Sequence, residues 1–259
     1  MAHSSFAADN GVETALVGGL PIACLTLQQT ADLMIAAVGQ ARARARPVYM
    51  TSANGEVIAR RMSDKQTAAL FDKADLVSAD GQPMVVASRF VCKNALPERV
   101  ATTDLFGLVA ERAERRSLSF YLLGGDAETN RLAAAATRAR YPNLRILGAS
   151  HGYLDPQRTE TIIDEIARLA PDILWIGMGV PREQAFVLRW IDRLSTVGVI
   201  KTTGGLFDFV SQRVSRAPAW MQRAGLEWGW RLAQEPRRLF WRYAITNPLA
   251  IYAMITRSG

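Results

Sequence analysis

Two cysteines and two histidines are all that this chain of 259 residues contains of either type. Cys24 and Cys92 have no paired spacing, which argues against a disulfide framework and a cysteine-held metal and fits a reducing compartment. His3 and His151 alone cannot supply a histidine-rich metal centre, and they support a Ser-His-Asp triad poorly. No Asp-x-Asp pair occurs, so a divalent cation held in that way is not expected. GxGxxG and Walker A loops are also missing. No apolar run reaches the roughly 18 residues needed to span a bilayer. The first residues, MAHSSFAADNG, lack the basic start and apolar core of a signal peptide, so a cytoplasmic location is expected.

What is present is an ordinary globular composition, 49% hydrophobic and 21% charged, long enough for one large α/β domain or a domain with an appendage. The net charge of +7 is unevenly placed. From Gln212 onward there are eight arginines, no lysine and only two acids, Glu227 and Glu235. Four of the six tryptophans, Trp220, Trp228, Trp230 and Trp241, share that segment. Arginine interleaved with aromatic residues suits an anionic membrane surface. It also suits nucleic acid, or a helical subdomain packed on the core or on another subunit of a homo-oligomer.

Before that segment, short apolar runs alternate with helical patterns at least six times, joined by short loops. Strands are expected near 48–51, 75–79, 118–123, 144–147, 172–176 and 197–202, after a strand or hairpin over 15–27. Ser63 and Thr103 are placed to cap helices. Asp155-Pro156 opens another, with proline at its first turn. This alternation predicts an α/β fold, a Rossmann-like, doubly wound and mainly parallel sheet. The strands cease near Ser211. The expected division is therefore an α/β catalytic domain over 1–211 and a basic amphipathic helical appendage over 212–259.

Ligands of such sheets bind at the carboxyl ends of the strands. Two polar loops fall there: Ser52-Ala53-Asn54-Gly55, and Asp80-Gly81 with Arg99 nearby in sequence. Asp80 is a lone carboxylate and the candidate chemical centre, although Asp80-Gly81 also reads as a turn and Asn54 as a helix cap. Gly124-Gly125-Asp126 follows another strand; its backbone N–H groups suit a phosphate, or it is a plain tight turn. Gly177-x-Gly179-x-Pro181 allows close approach of a ligand and opens a helix bearing Arg182, Glu183 and Gln184. Asp208, after Gly204-Gly205, suits a base such as uracil or a helix cap.

In order and spacing these residues resemble the WecG/TagA/CpsF glycosyltransferases, glycosyltransferase family 26. The motifs that carry the likeness are Ser52-x-Asn54, Ala79-Asp80-Gly81, Pro97-Glu98-Arg99 with Asp104-Leu105, Leu122 to Gly125, Gly177-x-Gly179-x-Pro181, Gly205-x-Phe207-Asp208, Arg216-Ala217-Pro218 and GLEWGWRLAQEPRRL from Gly225 to Leu239. They run from about Ile22 to Trp241. The resemblance implies an inverting transfer of a sugar from a UDP-sugar to a polyprenyl-diphosphate-linked saccharide, on the inner face of the cell membrane, without metal or other cofactor. It implies Asp80 as general base with Arg99 beside it. Ser52, Asn54, Gly124, Gly125, Gly179 and Glu183 are then expected along the sugar and diphosphate site, and Tyr153 and Asp208 at the uracil end. The family's usual Gln-Glu order is reversed here, which leaves either Glu183 or Gln184 to fill its amide position. Arg231, Arg238 and Arg242 are expected near the diphosphate, and Trp228 and Trp230 at the lipid interface. The competing readings from the residues are a nucleotide-dependent oxidoreductase, which the missing GxGxxG counts against, and a basic nucleic-acid-binding module.

Overall fold

A computed structural model describes residues 5–259 apart from Leu154, Ala224 and the side chains of Ser5, Ala219, Arg223 and Arg238. His3 and the Arg238 side chain thus lie outside the described residues.

After a short helix α1 (Ser5–Asp9), strands β1 (Thr14–Val17) and β2 (Leu20–Ala23) form an antiparallel hairpin. Helix α2 (Leu27–Arg44) starts on a reciprocal cap between Thr26 and Gln29 and ends on Arg42 and Arg44, as the helix dipole favours. Strand β3 (Val48–Ala53) leads to α3 (Gly55–Ser63), α4 (Lys65–Phe71) and β4 (Leu76–Ala79). Next come α5 (Gln82–Val91), α6 (Thr102–Arg115) and β5 (Ser119–Gly124), then α7 (Ala127–Arg140) and β6 (Arg145–Ser150). Helix α8 (Pro156–Leu169) precedes β7 (Ile173–Gly177), and α9 (Arg182–Trp190) precedes β8 (Val199–Thr202). From there the described chain is helical only: α10 (Leu206–Val210), α11 (Ala219–Arg223), α12 (Glu227–Gln234) and α13 (Pro236–Thr256).

Strands β4-β3-β8-β7-β5-β6 form one sheet in that order, every pairing parallel. The chain builds one edge first, crosses to the other half, and returns through β7 to insert β8 in the middle. Every β-to-α loop therefore opens at one edge of the sheet, and a crevice forms where the winding reverses. The expected Rossmann-like, mainly parallel α/β architecture is the one found.

Alternation along the strands separates two cores. Met50, Phe120, Leu122, Trp175 and Val199 face α2, α6 and α7, while Tyr49, Tyr121, Leu123, Leu174 and Ile200 face α8 and α9. Phe106 and Phe120 pack edge to face on Trp175 at 4.9 and 5.6 Å and lie tilted to each other at 6.0 Å. A third core joins the hairpin, α3 and α5 to the end of α13 through Ala250, Ala253 and Met254.

Two expected caps are corrected. Asp64, not Ser63, caps α4; its carboxylate accepts the N–H groups of Gln66 and Thr67, whereas the Ser63 hydroxyl turns back to Ala59 O. Helix α6 begins at Thr102, one residue before the expected cap Thr103, and has no side-chain cap. No helix among the described residues is long and apolar enough to cross a membrane. The longest, α13, carries Pro248 inside it and three arginines near its start.

Candidate active site

The loops after the strands, closed over by α12 and α13, enclose a cleft of about 860 Å³. Ser52, Asn54, Asp80, Arg99, Gly125, Tyr153, Gly179, Glu183, Asp208, Trp228, Arg231 and Arg242 all line it. Residues from the two halves of the sheet and from the tail thus share one space. Gly124, Gln184 and Trp230 do not line it.

Asp80 lies where β4 ends. Its backbone N–H donates to Ala53 O at 2.7 Å, continuing the β3–β4 ladder one residue past the strand. The carboxylate accepts the Thr102 hydroxyl at 2.7 Å and the Thr102 N–H at 3.3 Å, and Arg99 approaches at 3.4 Å. About 24% of the side chain remains open to the cleft. Burial pushes its pKa above the ordinary carboxylate value; Arg99, Thr102 and Lys201 pull against that rise. The result is an ionisable acid, firmly oriented and still reachable, which is what a general base requires.

Lys201, which the motifs did not single out, is nearly sealed at 1% exposure. Its ammonium donates to Ser52 Oγ at 2.6 Å and stands 3.5 Å from Ser78 Oγ. Ser52 Oγ is 3.2 Å from Thr102 Oγ1. An ammonium only donates and an ionised carboxylate only accepts. Lys201 therefore donates to Ser52 and Thr102 to Asp80, while the Ser52 hydroxyl lies between Thr102 Oγ1 and Ser78 Oγ, the latter at 3.0 Å. Burial lowers the Lys201 pKa to about 8, against the attraction of Asp80 and Glu183.

The glycine loops turn inward. Gly124 packs against Gly177 so closely that a β-carbon on it would stand 2.1 Å from Gly177 O. The Gly125 N–H donates to that same oxygen at 2.9 Å, and Asp126 caps α7 through Thr129 N. The Gly125 N–H and the Gly124 face are thus both taken up by Gly177, while Gly125 and Asp126 still line the cleft.

Glu183 does reach the cleft wall, but as a brace. Its carboxylate accepts N–H groups from Met178, Gly179 and Gly204 at 3.0–3.1 Å, tying the β7 loop to the β8 loop. Burial raises its pKa, and these backbone donors oppose the rise. Gln184, the other candidate for the amide position, is wholly enclosed and points back to Thr51 Oγ1 (3.3 Å) and Glu183 (3.2 Å). Asn54 both caps α3, accepting Val57 N at 3.1 Å, and lines the cleft. Its amino group is left as a donor.

At the far end Asp208 is half-buried with its pKa raised by burial and held down by Arg231. Tyr153, 68% exposed, lies under Arg182 at 5.8 Å. The tail supplies the remaining wall. Arg231 stacks on Phe209 and pairs with Glu235 at 3.4 Å, Arg242 pairs with Glu56 at 3.1 Å, and Glu227 bridges Arg99 and Arg216. Trp228 packs edge-on to Tyr243 and is 44% exposed. Trp230 is partly buried, and its indole N–H is enclosed. The most exposed tryptophans are instead Trp220 and Trp241. Among the described residues no three His, Cys, Asp or Glu side chains are placed to hold a metal ion.

The family model for the glycosyl transferase WecG/TagA/CpsF family matches residues 15–258. The chain belongs to that family. Membership sets aside the oxidoreductase and nucleic-acid readings. Among curated proteins it is similar to the N-acetylglucosaminyldiphosphoundecaprenol N-acetyl-beta-D-mannosaminyltransferase of Bacillus spizizenii, 28% identical over 207 residues, covering 80% of this chain and 78% of the relative. The protein of the same name from Bacillus subtilis is 29% identical over 199 residues, 77% of this chain and 75% of the relative.

Proposed function

We propose that this glycosyltransferase moves a sugar from a UDP-sugar to a saccharide carried on polyprenyl diphosphate, with inversion and without a metal. The two relatives are named for transfer of N-acetylmannosamine to N-acetylglucosaminyl-diphosphoundecaprenol, which makes an N-acetylated hexosamine the first donor to try. The observation that carries the reading is Asp80, a reachable carboxylate at the floor of the cleft that Asn54 and Asp208 also line.

In this reaction the acceptor hydroxyl attacks the anomeric carbon from the face opposite UDP. A carbon–oxygen bond forms, the bond from that carbon to the donor phosphate oxygen breaks with its electron pair, and Asp80 takes the hydroxyl proton. The leaving diphosphate gains negative charge, which Arg99, Arg231 and Arg242 are disposed to meet. Each now faces a carboxylate, Glu227, Glu235 or Glu56, so the diphosphate exchanges one anion for another rather than entering an unpaired cationic pocket. We assign residues 212–259 to docking on the cytoplasmic membrane face, where their arginines meet anionic lipid.

The test is transfer from a panel of UDP-sugars to a short lipid-diphosphate N-acetylglucosamine, with and without EDTA, beside a thermal-shift comparison of UDP, NAD and an oligonucleotide. UDP alone is expected to raise Tm; at 100 times Kd the stabilisation is about 2.7 kcal/mol. EDTA is expected to leave turnover unchanged. Stabilisation by NAD rather than UDP, or EDTA-sensitive turnover, overturns the corresponding part of the reading.

A further inference from the structure

The helix that follows Asp80 carries a stripe with no role in the chemistry above. Pro83, Val86, Ala87 and Phe90 of α5 recur at steps of three and four, which keeps them on one face. Val86 is 44% exposed and Phe90 82%. Across from them stand Ile251, Met254 and Ile255 of α13, with the two isoleucines 55% and 66% exposed. Between the helices lies a groove of about 460 Å³ in which Gln82 supplies the one polar side chain among the described residues.

The groove is not separate from the cleft. Gln82, Pro83, Gly225, Ile251 and Met254 line both. It begins two residues beyond Asp80, and α5 carries it outward by roughly 10 Å from Pro83 to Phe90. Its polarity changes along the way, from the arginines of the cleft to aliphatic and aromatic side chains. A ligand that spans both must have an anionic head and an apolar tail.

We propose that this groove receives the prenyl chain of the acceptor, which leaves the diphosphate in the cleft and runs between α5 and α13. The proposal rests on the lipid-linked acceptor argued above and adds where the lipid lies. Burying a branched hydrocarbon against Val86, Phe90, Ile251 and Ile255 removes apolar surface of both partners from water.

The experiment uses the full chain and two commercial probes, farnesyl diphosphate below its micelle concentration and inorganic diphosphate, with binding followed by calorimetry. Farnesyl diphosphate is expected to bind at least about tenfold tighter. The variant Val86→Ser/Phe90→Ser, and Ile255→Ser on the facing helix, are expected to lose that advantage while keeping the affinity for inorganic diphosphate and the Tm. These three side chains are exposed and none lines the catalytic cleft, so the substitutions spare the fold. Equal affinities in the unmodified protein overturn the proposal, as does an advantage that survives both variants. A change from dimer to monomer in sedimentation with farnesyl binding untouched would assign the face to a second copy instead. Binding is read without turnover. A protein that holds the farnesyl chain but transfers no sugar would refute the enzyme reading and leave the groove standing; transfer without a farnesyl preference would do the reverse.

Discussion

Asp80→Asn is expected to lower kcat by roughly 10²–10⁴-fold, the usual worth of a positioned general base, while UDP affinity and Tm change little. The amide is isosteric, and its oxygen still accepts the Thr102 hydroxyl that now holds Oδ2 at 2.7 Å. What disappears is the basicity toward the acceptor hydroxyl. Arg99, 3.4 Å away, loses one anionic partner but keeps Glu227, so the wall of the cleft is not left with an unpaired cation. The pH profile provides an independent check. Because burial raises the Asp80 pKa, the acid limb of kcat/KM should lie above the ordinary carboxylate range, with activity lost as pH falls through it. Turnover of Asp80→Asn within a few-fold of the unmodified enzyme would remove Asp80 from the mechanism, whatever else lines the cleft.

The parallel sheet was legible because its strands are short, apolar and regularly spaced, and each ends in small polar residues. That pattern alone brings Ser52, Asn54, Asp80 and Asp208 to one edge of the sheet, where the structure has them. What stayed hidden depends on direction rather than position. Glu183 and Gln184 are neighbours on one helix, and no spacing rule says which is pulled into the protein; the answer lies in three backbone N–H groups from loops that only folding brings together. Gly124 and Gly125 read as a phosphate cradle or a turn, and no spacing rule says that Gly177 O takes the Gly125 N–H. Trp228 and Trp230, two apart on α12, cannot both face outward on a helix. Lys201 sits in a run, Val199-Ile200-Lys201-Thr202, that looks like an ordinary strand. Its partner Ser52 is 149 residues away in sequence and is reached only through the register that sets Met50 against Lys201.

That buried lysine leads to the second large effect. Lys201→Met is expected to move the acid limb of kcat/KM upward by up to about one pH unit, the low end of the influence of a nearby opposite charge on a carboxylate. At a pH below the limb this is a loss of up to about tenfold. The sign follows from two opposed shifts. Asp80 is already pushed up by burial and held back by Lys201 among others, so removing the ammonium lets its pKa climb further and keeps the base protonated to higher pH. Lys201 itself is pulled down to about 8, so the unmodified enzyme carries this charge below that pH and loses it above. The two profiles should therefore diverge on the acid side and converge once pH has passed the variant's own acid limb. A lysine that merely fills space would give a different result: a rate loss equal at every pH, recovered by whichever neutral side chain packs best. Measuring kcat/KM for Lys201→Met and Lys201→Gln from pH 5 to 9 separates the two, because only an electrostatic role makes the deficit of both variants vanish above the acid limb.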